Sequence, residues 1–66
     1  MTVTYTILAG SIYRKAKGEI VEEGITSFGV ARIKADQHDL VRDDNLDVSV
    51  YEIDKFSFRR VYTVPR

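Results

Sequence analysis

Val3, Tyr5 and Ile7 alternate with Thr2, Thr4 and Thr6 at the start of the chain. A period of two in β-branched and aromatic residues predicts a strand with one apolar face. Gly10-Ser11 ends or bends that strand. Residues 12–17 (Ile-Tyr-Arg-Lys-Ala-Lys) continue a hairpin or form a basic loop. Lys17-Gly18 reads as a turn, and Glu19–Glu23 predicts a short strand closed by Gly24.

Residues 25–41 carry two signals. Thr26 or Ser27 supplies an N-cap, and Phe28, Ala31 and Ala35 share one helical face. Val30, Ile33 and Leu40 fall nearer the opposite face, which weakens the helical pattern. Gly29 adds a penalty of about 1 kcal/mol relative to alanine inside a helix. Read as a strand, Phe28 and Val30 share a face, and Ala31 and Ile33 need a bulge to join it. The helix is favoured, from about 26 to 38, with the small alanines letting it lie close on a sheet.

Arg42–Asn45 predicts a turn. Leu46–Ile53 alternates again, with Val48 and Val50 on one face and Tyr51 and Ile53 on the other. Asp54-Lys55 makes a second turn, and Phe56–Val64 a last strand that puts Phe56, Phe58, Tyr62 and Val64 on one face. The two strands form a hairpin whose register depends on the loop. Asp-Lys lacks the glycine that a two-residue loop needs, so a three-residue loop and a Glu52–Arg60 contact are expected.

These elements predict a small α+β domain over residues 1–66, in the order β-β-α-β-β, with an antiparallel sheet covered by one helix. The alternative is an all-β small barrel, SH3-like or OB-like, in which residues 25–35 form a strand. Sixty-six residues bury only about 60% of their unfolded surface, so the core is thin. The chain has no cysteine, which removes disulfides and thiolate metal sites. No run approaches the ~18 apolar residues of a membrane span. The first residues lack a basic region followed by an apolar run, so the expected location is cytoplasmic.

Charge adds a layout that composition hides. Ten basic and ten acidic residues cancel, yet residues 1–35 sum to +2, residues 36–54 to −6 and residues 55–66 to +4. Patches of one sign select and steer partners. Asp39, Asp43, Asp44 and Asp47 are the expected acidic contact patch for another protein. The competing set is Lys55, Phe58, Arg59, Arg60 and Tyr62, aided by Arg14 and Lys15. Rings that stack on bases interleave there with cations that hold phosphates, as in single-strand nucleic-acid binders. Net zero charge argues against generic coating of DNA. An unpaired edge on Phe56–Val64 offers a third possibility, a homodimer.

Catalytic and metal chemistry find little footing. Asp43, Asn45, Asp47 and Asp54 take calcium-loop positions one, three, five and twelve, but Val48 stands where the loop needs glycine. His38 is the only histidine; beside Asp36 and Asp39 it is read as a solvated surface residue rather than a ligand. Ser11, Ser27, Ser49 and Ser57 lack a nucleophile elbow, and the four glycines form no phosphate-cradling loop. The expectation is a non-enzymatic binder without cofactor or metal. Its length, threonine-rich first strand and helix-then-hairpin order resemble those of small phage or mobile-element proteins. The resemblance implies an inhibitor or regulator that occludes a host protein's surface, and it assigns no residue.

Overall fold

The period-two run at the start of the chain forms β1 (Thr4–Ala9), and β1 lies inside the sheet rather than at its edge. The computed structural model describes residues 3–10, 18–42 and 46–65. β1 is followed by β2 (Glu19–Ile25), α1 (Phe28–Val41), β3 (Val48–Ile53) and β4 (Phe58–Thr63). The strands form one antiparallel sheet in the order β2-β1-β3-β4. This is the β-β-α-β-β layout that the pattern predicts, and the helix removes the all-β barrel.

Strand β1 pairs with β3 without irregularity, from Thr4 opposite Ile53 to Ala9 opposite Val48. Alternation sends Ile7 and Ala9, with Val48 and Val50, to the face under α1. Ala31 and Ala35 of α1 are fully buried there, and Ile25 and Val64 complete the core. Alanine at both positions brings the helix axis close to the sheet, where a larger side chain would hold it off. The other face is buried as well: Thr6, Leu8, Ser49 and Tyr51 have almost no exposed surface. Gly18 lies so close to Leu8 that a Cβ there would stand 2.6 Å from Leu8 Cδ2.

Several boundaries differ from the sequence reading. The helix runs Phe28–Val41 instead of 26–38. Ser27 is its N-cap: its Oγ accepts from Val30 N–H at 3.4 Å, and its carbonyl accepts from Ala31 N–H at 3.0 Å. At the far end the extended Arg42 donates its N–H to the Asp39 carbonyl at 3.3 Å. Strand β2 continues through Gly24 to Ile25, because Gly24 takes a φ of 76° that passes the chain on. Two register shifts in β2 bend this edge of the sheet.

The second hairpin departs further. Ile53 pairs with Phe58, so the loop is four residues, Asp54–Ser57. Asp54 closes it in place of glycine. Its Oδ1 accepts from the N–H groups of both Phe56 and Ser57 at 2.7 Å, and its own N–H donates to the Ser57 carbonyl at 3.0 Å. The predicted Glu52–Arg60 contact is replaced by Glu52–Arg59 at 3.3 Å, and Arg60 stands across from Tyr51. A bulge at Val61 then shifts the alternation by one residue. Phe58 consequently points away from α1 while Tyr62 and Val64 point toward it. The predicted four-membered row of Phe56, Phe58, Tyr62 and Val64 does not form, and Phe56 lies exposed in the turn.

Candidate functional site

Tyr62 is the residue around which the helix side of the molecule is organised. The Val61 bulge turns it under α1, where its hydroxyl donates to Asp36 Oδ1 at 2.8 Å. The Arg32 guanidinium lies 5.3 Å from its ring centroid, and the Phe28 ring meets it edge-on at 6.5 Å. Phe28 in turn packs against Tyr5 at 5.7 Å. Positions 28, 32 and 36 are four apart, so one face of α1 delivers an aromatic, a cation and a carboxylate to a single tyrosine. Beside this group an open cleft of about 390 Å³ runs between the second half of α1 and the end of β4. Arg32, Asp36 and Asp39 supply its charge, and Leu40, Val64 and Pro65 its apolar wall.

The acidic residues chosen from the sequence are only partly brought together. Asp39 is half-buried and borders the cleft. Asp47 is exposed just before β3, and its carbonyl accepts from Gly10 N–H at 2.8 Å. Asp43 and Asp44 lie outside the described residues. Asp36, which the sequence reading passed over as part of this patch, is the carboxylate that joins Asp39 in the cleft. Helical spacing of three was the available signal.

The basic, aromatic set divides between faces. Phe58 stacks on Tyr51 at 4.9 Å and 13° on the side away from α1, with Arg60 on that same side. Arg59 and Tyr62 belong to the α1 side, each with a partner of its own. Lys55 sits in the turn with its ammonium 5.7 Å from the Phe56 ring centroid. Arg14 and Lys15 lie outside the described residues.

His38 differs from its expected solvated state. It is half-buried, its Nε2 is 3.3 Å from Glu22 Oε1, and Lys34 Nζ donates to the other oxygen of the same carboxylate at 2.6 Å. The Lys34 hydrogen bond, and after it that of His38, hold the Glu22 carboxyl below its ordinary value. Together with Arg42–Glu19 at 3.2 Å, this ties the β2 edge to α1. No group of three or more His, Cys, Asp or Glu is arranged for a metal among the described residues. No helix among them is long and apolar enough to cross a membrane. No family model, characterised protein or solved structure matches the chain.

Proposed function

We propose that the chain is a non-enzymatic protein-binding module, an inhibitor or regulator that works by covering a basic surface of another protein. The observation that carries this reading is the cleft beside Tyr62. Asp36 and Asp39 outweigh Arg32 in charge there, and Leu40, Val64 and Pro65 give it an apolar wall. A lysine or arginine of a partner suits such a cleft, with its stem on the apolar wall and its charged head at the carboxylates. Both cleft carboxylates belong to the stretch 36–54, whose sequence sums to −6, a sign that favours steering of a basic partner.

The test is capture from a lysate of the source cells with the full chain, with and without nuclease. Parallel captures use a variant carrying Asp39→Lys, Asp43→Lys, Asp44→Lys and Asp47→Lys. The reading expects one dominant basic protein that survives nuclease, is lost with the variant and weakens with salt. A captured protein indifferent to the four reversals would overturn the acidic assignment. Capture that vanishes with nuclease would move the function to nucleic acid.

A further inference from the structure

The outward side of α1 is apolar. Val30, Ile33, Leu40 and Val41 are 44%, 60%, 82% and 81% exposed. At about 100° per residue these four and Gln37 fall within an arc of roughly 100°, opposite the arc of Ala31 and Ala35 that meets the sheet. A helix apolar on two opposite sides is built to be covered on both, and the sheet covers one.

We propose that a second copy of this chain covers the other, its α1 packed antiparallel on the first across a two-fold axis near residue 35. Gly29 is the first reason. It sits in the opening turn of α1, its φ is not positive, and only Ser27 Oγ, at 3.9 Å, comes near the place of its missing Cβ. Nothing among the described residues therefore calls for glycine at a position where it weakens the helix. A neighbouring surface in close approach does.

Complementarity is the second reason. An antiparallel two-fold brings like margins of the two helices together. Gly29, Arg32, Asp36 and Leu40 all lie along one margin. Leu40, the most exposed of the four, then meets the notch over Gly29 of the second copy. Arg32 comes beside the carboxylate of Asp36 of the second copy, and Val30 faces Val41. On the other margin the two Lys34 side chains approach the axis, each already held by its own Glu22. The seam itself carries no charged residue.

Area is the third reason. The four apolar side chains leave on the order of 500 Å² open, the size of the largest patches that monomers carry. Gln37, Gly29 and the stems at both margins bring the contact toward the ~800 Å² per partner of a standard interface.

Sedimentation of the full chain from about 1 µM to 1 mM is the experiment. The expected result is a reversible monomer–dimer equilibrium that Leu40→Glu and Gly29→Leu each weaken at least tenfold, with unchanged far-UV circular dichroism. Both positions are open to solvent in the monomer, so loss of folding is not expected to mask the result. Orientation is read by mild oxidation. Gly29→Cys mixed with Leu40→Cys gives a cross-linked pair, while either variant alone does not. A monomer throughout, a dimer indifferent to both substitutions, larger closed or open assemblies, or self-linking of each cysteine variant overturns the proposal. Arg32, Asp36 and Leu40 also line the cleft, so a dimer covers part of it. The two readings are told apart by readout: sedimentation of the chain alone reports the dimer, and capture of a partner with the four charge reversals, which leave Gly29 and Leu40 unchanged, reports the acidic contact.

Discussion

Replacing Tyr51 by phenylalanine should make this protein more stable. The side chain has no exposed surface, and its hydroxyl has no hydrogen-bond partner among the described residues. A buried hydroxyl left unpaired is destabilising by about 1–3 kcal/mol relative to its hydrated state in the unfolded chain. Tyr51→Phe keeps the ring and its stack on Phe58 at 4.9 Å, and removes only the oxygen. The void left is on the order of 10 Å³, which at ~24 cal/mol per Å³ returns about 0.2 kcal/mol of the gain. The net expectation is a stabilisation of about 1–3 kcal/mol. A domain of this length holds roughly 3–10 kcal/mol in total, so the change is a large fraction. Each kcal/mol moves the thermal midpoint by ~4–8 °C, giving a rise of roughly 4–24 °C. Urea titration followed by circular dichroism measures it, provided the slope with denaturant is unchanged. Tyr51→Leu, which loses the stack as well, should fall below the parent. A Tyr51→Phe midpoint at or below that of the parent, with equal slope, would falsify the premise that the hydroxyl is unsatisfied.

Three further expectations follow from the packing and the ion pairs. Val50→Ala deletes two fully buried methyl groups between α1 and the sheet, and should destabilise by about 2–3 kcal/mol in the same titration. Ala35→Leu forces a larger side chain into the fully buried helix–sheet contact, and overpacking should remove about 1–3 kcal/mol and speed amide exchange in α1. Glu22 and Asp54 both lie below their ordinary values of 4.5 and 3.8 in the folded chain, Glu22 through Lys34 first and Asp54 through the Phe56 N–H first. Their contributions are complete above those values and are lost as the pH falls through and below them. Glu22→Gln and Asp54→Asn should therefore each flatten the acid limb of the stability curve below about pH 4.5, and parallel acid limbs would refute the assignment.

The strands that alternate, β1 and β3, could be read from the chain because their β-branched and aromatic residues recur at a period of two between Thr, Ser and Glu, although the structure buries both faces. The helix was harder for a reason the structure makes plain. Val30, Ile33 and Leu40 blurred its periodicity because they face outward, opposite Ala31 and Ala35. The weakness of the signal and the exposed stripe are one fact. Bulges were not legible, since an extra residue at Val61 leaves no local mark and depends on what Val50 and Tyr51 pair with. That single insertion sent Tyr62 to the helix and Phe58 away from it, and so rewrote the candidate site. The loop at Asp54–Ser57 was missed by one residue because aspartate side-chain capping, rather than glycine, closes it. Asp39 and Asp47 were seen as charge, but the partner of Tyr62, Asp36, only becomes visible once β4 is laid under α1.

The order β2-β1-β3-β4 also shapes the route to the folded state. Each outer strand is reached through a local hairpin, yet the central ladder joins Ala9 to Val48 and Thr4 to Ile53, from opposite halves of the chain. Closing a connection of about 40 residues carries roughly 3 kcal/mol of entropy before any pair in that ladder forms. An isolated two-stranded hairpin is marginal in water, so neither half can wait in a folded form for the other. The topology therefore predicts a barrier at the joining of β1 to β3, with α1 settling on both, and folding slower than that of domains built from local contacts alone.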